Sequence, residues 1–100
     1  MEAGKAVSTG QTEKHRVVFT NPVTLNGETV SSIVMREPTV ADMRAVDKQG
    51  STDLEREILM IGRLIGVPGE ELDALSVSNY KRLQDKYASF FASVGQAAAR

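Results

Sequence analysis

The residue types that most often carry catalysis or bind metals are scarce in this chain. It has no cysteine, and His15 is its only histidine. Disulfides, thiolate nucleophiles and cysteine-ligated metals are therefore excluded, and a zinc site or a general base at neutral pH would normally draw on histidine more than once. No glycine-rich phosphate loop or nucleophile elbow occurs either. The sequence argues against an enzyme and predicts no cofactor and no metal.

A short acidic cluster is the nearest approach to a carboxylate site. Glu70, Glu71 and Asp73 accompany Leu72 and Leu75, which lie three residues apart as on one face of a short helix. Carboxylates stabilise the first turn of a helix because they lie beside the positive end of its dipole. We therefore interpret these acids as helix-start residues and not as a catalytic site.

A basic cluster near the C-terminal end could in principle contact nucleic acid. It consists of Lys81, Arg82 and Lys86, with Asp85 among them. The chain as a whole has a net charge of -1, which gives no electrostatic reason to expect a phosphate-binding surface. We interpret the cluster as a solvated helix face and predict no nucleic-acid partner.

No stretch of the chain is suited to a membrane. No apolar run approaches the ~20 residues that cross a bilayer, and the first residues lack a basic region followed by an apolar stretch. The sequence therefore predicts an intracellular protein with no membrane partner.

An apolar stripe with helical spacing near the C-terminal end most favours a binding function. Its residues recur at spacings of three, four, three and four, and they are Tyr80, Leu83, Tyr87, Phe90 and Val94. The first part, Tyr80 to Tyr87, is expected to pack on the core. The far end lies late in the chain, beyond the expected core, and exposed apolar ends are places where partner chains dock. The predicted partner-binding residues are Tyr87, Phe90, Phe91 and Val94.

A β-hairpin is expected to precede the helices. Asn26-Gly27 is typical of a two-residue type I′ turn between two apolar stretches, and Pro38 ends the second strand. Pro22 lacks an amide proton, so it predicts an edge position or a bulge in the first strand. The expected pairs are Leu25 with Glu28, Val23 with Val30, and Phe19 with Val34. The expected buried face comprises Val17, Phe19, Val23, Leu25, Val30 and Val34.

Three to four α-helices are predicted after the hairpin, from capping residues and apolar periodicity. Their bounds are Thr39 to about Asp47, Thr52 to Gly66, Glu70 to Leu75, and Ser76 or Ser78 to about Gly95. The fold class is α+β in one small domain. Residues 1–15 are expected to form a flexible arm, because they offer almost no large apolar side chains to offset their ordering entropy. Residues 16–95 form the domain, and 96–100 a C-terminal tail.

The order of elements and several residues resemble a known family. The hairpin with Pro22-Val23-Thr24-Leu25-Asn26-Gly27 leads into Arg36-Glu37-Pro38-Thr39-Val40-Ala41-Asp42, and a helix ends in Ile61-Gly62-Arg63-Leu64-Ile65-Gly66. This is similar to the tail assembly chaperones of contractile-tailed phages, the group that includes the tail proteins E of P2-like phages and protein 41 of Mu-like phages. The likeness covers roughly Val17 to Val94. Its clearest signature is the Arg-x-Pro-Thr-x-x-Asp turn into the first helix.

The resemblance implies a non-enzymatic late protein that binds the tape measure protein during tail assembly. Such a protein would act in the host bacterial cytoplasm and would be absent from the finished virion. Members of this family are often made in two forms through a programmed ribosomal frameshift, so a longer form of the chain itself is a second expected partner. The alternative from another class is a small structural or adaptor subunit that is retained in the tail.

Overall fold

The computed structural model describes the backbone of residues 15–98 and the side chains of residues 15–92. It confirms the predicted α+β class, a hairpin followed by helices in one small domain. The arm predicted for residues 1–15 lies outside the described residues except for His15. The elements are strands β1 (Arg16–Leu25) and β2 (Glu28–Val34), helices α1 (Val40–Gln49) and α2 (Asp53–Ile65), a 3-10 helix (Gly69–Ala74), and helix α3 (Val77–Ala98).

The turn of the hairpin follows the sequence prediction. Asn26 and Gly27 have φ values of 53° and 83°, the left-handed conformation that a type I′ turn requires at both positions. Leu25 pairs with Glu28, and Val23 pairs with Val30. The register near the turn is therefore the predicted one.

The pairing predicted for Phe19 with Val34 is wrong, because β1 contains an irregular segment. Residues 19–22 lie between the paired residues Val18 and Val23, whereas only Ser31 lies between their partners on β2. Beyond this segment Val17 pairs with Ile33, so Ile33 packs against the core in the place expected for Val34. The segment includes Pro22, which agrees with the predicted bulge.

The irregular segment of β1 is held by the start of α3. Asn79 is 1% exposed, and its Oδ1 accepts hydrogen bonds from the Thr20 backbone amide at 2.8 Å and from Thr20 Oγ1 at 3.1 Å. Ser76 Oγ in turn accepts from the Asn79 amide at 3.2 Å, as a residue at a helix start does. The amide that leaves the β ladder therefore finds a partner on α3, and this contact fixes the helix against the strand.

Glycines make the turn after α2 compact. Gly66 ends α2 with φ 85°, the left-handed C-cap predicted from the sequence. A Cβ on Gly62 would lie 2.7 Å from the Val67 carbonyl oxygen and 3.3 Å from Gly69, so only glycine allows the backbone to return this closely. The 3-10 helix can therefore pack directly on α2.

One apolar core joins the hairpin and the helices. Every element contributes to it, β2 through the partly buried Val30 and Ile33, and Met35, Ile61 and Leu83 are fully buried. In the part of the chain whose side chains are described, the buried apolar residues are Val17, Phe19, Leu25, Met35, Val46, Met60, Ile61, Leu64, Ile65, Leu72 and Leu83. Across the helices that the structure describes, we find none with an apolar stretch long enough to span a bilayer.

Candidate partner-binding site

The Arg-x-Pro-Thr-x-x-Asp turn forms a compact charged cluster between β2, α1 and α2. Asp42 is 1% exposed and accepts two hydrogen bonds from Arg36, from Nη1 to Oδ2 and from Nη2 to Oδ1, both at 2.8 Å. Its Oδ2 also accepts from the Thr39 amide at 2.8 Å, which completes the capping box at the start of α1. Arg63 of α2 donates from Nε to Oδ1 at 2.9 Å. One carboxylate thus ties three elements together.

The electrostatics of this cluster keep Asp42 ionised. The hydrogen bonds from Arg36, with those from Thr39 and Arg63, hold the pKa of the Asp42 carboxyl well below its usual range, although burial alone would raise it. The same contact raises the pKa of the Arg36 guanidinium. Every oxygen of the buried carboxylate is satisfied within the chain, so the role of this cluster is to orient α1 and α2.

The structure does not place the four residues predicted to bind a partner on one surface. Tyr87 and Phe91 lie one turn apart on α3, and their rings meet edge to face with centroids 5.2 Å apart. Phe90 instead meets the His15 ring at 5.1 Å and packs against the core beside the start of β1. The side chain of Val94 lies outside the described residues. Tyr87 and Phe91 therefore form a pair, from which Phe90 points away.

A cleft adjoins this aromatic pair between α1, α2 and α3. Its volume is about 220 Å³, and it is lined by Val46, Asp53, Arg56, Glu57, Met60 and Tyr87. Sites for small molecules and cofactors usually have volumes of ~300 to 1,000 Å³. The cleft is below that range and suits an inserted side chain better than a cofactor. Within residues 15–92, no group of three acidic or histidine side chains could hold a metal ion.

The cleft combines an apolar floor with a wall that has one excess negative charge, since Arg56 pairs with Asp53 and Glu57 remains. Val46 and Met60 are almost fully buried and form its floor. On the wall, Glu57 Oε1 accepts hydrogen bonds from Tyr80 Oη at 2.7 Å and from Gln84 Nε2 at 3.0 Å. Burial and the Glu57 charge raise the pKa of both Tyr80 and Tyr87, so the tyrosines remain neutral hydroxyl groups. A complementary ligand would insert an apolar group and place a positive or hydrogen-bond-donating group beside Glu57.

Phe91 is the exposed member of the aromatic pair. It is 42% exposed, whereas Tyr87 is half-buried and packs against the core. The sequence prediction named both aromatic residues among four partner-binding residues, but it did not include the cleft floor. Val46 and Met60 come from two different helices, and each has the spacing of an ordinary core residue. Nothing in their spacing indicates that one side of them faces a cleft.

A comparison with known protein families gives a match over most of the chain. The family model described as phage tail assembly chaperone proteins, E, or 41 or 14, matches residues 17–92. The chain belongs to this family. The match includes the Asp42 cluster, the cleft and the Tyr87–Phe91 pair, and it ends one residue after Phe91. No curated protein and no solved structure matches the chain. The resemblance inferred from the sequence is confirmed, and the protein is a phage tail assembly chaperone.

Proposed function

We propose that this tail assembly chaperone binds the tape measure protein of its phage, using the cleft and Phe91 as its contact surface. The observation that carries the proposal is the half-exposed Phe91 ring, which meets the Tyr87 ring edge to face beside a cleft of about 220 Å³. Exposed aromatic side chains beside a pocket are the usual anchors of protein interfaces. The family match supports the role in tail assembly.

The chemistry of the proposed ligand fits this surface. A tape measure protein is a long helical rod with apolar faces, and it would aggregate if these faces were exposed before the tail tube forms around it. An apolar side chain of the rod enters the cleft above Val46 and Met60, and Phe91 covers the adjacent turn, as in recognition of a helix in a groove. A basic or amide side chain of the rod meets Glu57.

The small size of the surface makes the binding transient. A cleft for one side chain and one exposed ring bury much less than the ~1,200 Å² of a stable interface, so each chaperone is released readily when the tube assembles. In this proposal the chaperone acts in the host bacterial cytoplasm, catalyses no reaction and leaves before the virion is complete.

Two measurements test this function, one on the co-expressed proteins and one on purified virions. Co-expression of the chaperone with the tape measure protein should increase the soluble fraction of the latter, and the two proteins should co-purify. Mass spectrometry of purified virions should then detect the tape measure protein without stoichiometric chaperone. No co-purification would refute the proposal, and a fixed number of chaperones in each virion would identify a retained structural or adaptor subunit instead.

We further propose a longer form of the chain, made by a ribosomal frameshift near the codons of Phe90 and Phe91. Among residues 15–92, the buried apolar residues of the core all lie at or before Leu83, so a shift after Phe91 would leave this core unchanged. The extension would give one folded domain a second binding segment and raise its effective concentration. Absence from the gene of a slippery run between the codons of Leu83 and Arg100, or of an overlapping frame, would refute it.

A further inference from the structure

A slot of about 370 Å³ lies between the outer edge of β1 and the segment that joins the 3-10 helix to α3. Its volume falls within the ~300 to 1,000 Å³ of typical ligand sites, whereas the cleft beside Tyr87 is smaller. The slot is lined by Asn21, Pro22, Val23, Thr24, Ala74, Leu75, Ser76 and Asn79. It shares none of these residues with the cleft, so the two are separate sites.

Contacts with α3 cover one end of this edge of β1. The Val18 carbonyl oxygen accepts a hydrogen bond from Arg82 Nη1 at 3.3 Å, and the Thr20 amide donates to Asn79 Oδ1 at 2.8 Å. Pro22 follows on the same strand and has no amide proton to donate. Proteins commonly cover an edge strand in these ways, which prevents another chain from adding to it.

Thr24 is an exception to this coverage. It pairs with Thr29, one step from the two-residue turn. The residues that flank such a turn form a hydrogen-bonded pair, so the backbone amide and carbonyl of the next pair point away from the partner strand. The Oγ1 atoms of the two threonines lie 3.2 Å apart, as expected for the close side chains of such a pair. Across residues 15–92, neither outward backbone group of Thr24 has a hydrogen-bond partner, whereas the nearby Asn26 amide donates to Glu71 Oε1 at 2.7 Å.

The walls of the slot are uncharged. None of the residues that line it is ionisable, although charged residues make up 25% of the chain. Val23 and Leu75 are partly buried and contribute apolar surface, and Asn79 Nδ2 donates to Asn21 Oδ1 at 3.4 Å on the polar side. A charged group would lose hydration in the slot without gaining a counter-ion, which disfavours nucleotides and acidic or basic segments.

We infer that the slot binds an uncharged, extended segment of a partner protein, whose backbone pairs with the amide and carbonyl of Thr24 and whose aliphatic side chain packs on Val23 and Leu75. Main-chain hydrogen bonds give affinity in this mode of strand addition, and the side-chain contacts give selectivity. A helical segment cannot bind in this way, because its own backbone groups are already paired. The inference goes beyond the proposed function and does not depend on it.

Peptide binding with a site-specific readout tests the slot. The probes are short overlapping synthetic peptides that cover the tail proteins of the same phage. Fluorescence anisotropy measures their binding to the Phe91→Ser protein, in which the contact at the cleft is weakened. We expect the bound peptides to share an uncharged stretch, and their affinity to be insensitive to salt. In NMR hydrogen exchange, the bound peptide should slow exchange of the Thr24 amide by roughly tenfold or more and leave the Thr29 amide unchanged.

Two proline variants form a matched pair on the two edges of the hairpin. Thr24→Pro removes the outward amide and no hydrogen bond of the ladder, so the hairpin should still form and peptide affinity should fall by roughly tenfold. Thr29→Pro makes the same change on the opposite edge and should leave the affinity unchanged. If Thr24→Pro unfolds the protein, Ala74→Trp provides the test, because it fills the slot from an exposed position and should prevent binding by a folded protein.

Several results would overturn the inference. They are binding of no peptide, binding of charged peptides only, an unchanged exchange rate of the Thr24 amide in the complex, and equal affinities of the wild type and the slot variants. Protection of Thr24 that rises with protein concentration alone would also overturn it, since it would identify a second copy of the chain as the occupant. All of these are measured on the Phe91→Ser background, so none of them bears on the proposed function of the cleft.

Discussion

Asp42 and Arg63 lie 21 residues apart in the sequence, yet Arg63 Nε donates a hydrogen bond to Asp42 Oδ1 over 2.9 Å. Arg36 holds the same carboxylate from the end of the hairpin, and its backbone amide donates to the Leu64 carbonyl oxygen at 3.1 Å. The contact places α1 beside α2, where Val46 and Met60 together form the floor of the cleft. The Asp42 cluster therefore positions the candidate binding site without belonging to it.

Replacement of Asp42 by its amide should weaken the fold. Asp42→Asn removes the charge from a buried group that accepts bonds from Arg36, Arg63 and Thr39, and we expect it to lower the free energy of unfolding by about 2 to 3 kcal/mol. The loss stays below that of a fully buried ion pair because both arginines remain about half-exposed. Urea unfolding measures it, with Asp47→Asn on the exposed face of α1 as the control. Equal stability of the two variants would contradict this role.

Low pH should remove the contribution of the Asp42 carboxylate to stability. The pKa of Asp42 is lowered in the folded protein, so its stabilising effect is complete above the unfolded pKa of ~3.9 and is lost as the pH falls toward the folded pKa. The difference in unfolding free energy between the wild type and Asp42→Asn should therefore shrink from pH 5 to pH 2. Denaturant titrations across this range measure it. A constant difference would show that the carboxylate charge does not act through Arg36 and Arg63.

The centre of α2 should be sensitive to loss of volume. Ile61 is fully buried in the core, so Ile61→Ala should lower the free energy of unfolding by ~2 to 5 kcal/mol, because it leaves a cavity. Leu54 is 60% exposed at the start of the same helix, and Leu54→Ala should change stability by ~0.5 kcal/mol or less. Thermal and urea unfolding of both variants compare them. An unchanged melting temperature for Ile61→Ala would contradict the packing of α2.

Replacement of Gly62 by alanine should destabilise the protein, although the same substitution usually stabilises a helix. Alanine in place of glycine within an open helix usually stabilises by ~1 kcal/mol. At Gly62 the added Cβ would lie 2.7 Å from the Val67 carbonyl oxygen, a backbone atom that cannot move without shifting the turn after α2. We therefore expect Gly62→Ala to lower the melting temperature. A raised melting temperature would show that this turn relaxes easily.

Local signals in the sequence predicted the elements well. Thr39 and Thr52 as helix starts, Gly66 as a C-cap and Asn26-Gly27 as a turn depend on neighbouring residues only, and the structure confirms each of them. The register of the part of β1 that precedes Pro22 differs from the prediction. The size of the irregular segment depends on Asn79, which lies far away in the sequence. The buried Oδ1 of Asn79 accepts a hydrogen bond from the Thr20 backbone amide, and no local pattern in the sequence indicates such a partner.

The candidate site could likewise be predicted from the sequence only in part. The apolar stripe of the last helix predicted Tyr87, Phe90, Phe91 and Val94 as one partner-binding group, and it did not indicate the contact between Tyr87 and Phe91. It did not separate Phe90, because the position of His15 against that ring depends on how the hairpin packs on α3. The cleft depends on three helices meeting, which periodicity within one helix cannot indicate.

The measurement that tests the central claim most directly is binding of the tape measure protein to Phe91→Ser. Phe91 is 42% exposed, so its loss should change the free energy of unfolding by ~1 kcal/mol or less. As an interface anchor, it should contribute ~2 kcal/mol or more to binding. The exposed neighbour substitution Ala92→Ser is the matched control. The account predicts that Phe91→Ser folds normally and loses co-purification of the tape measure protein, while the control retains it. Full retention of binding by a folded Phe91→Ser variant would contradict the account.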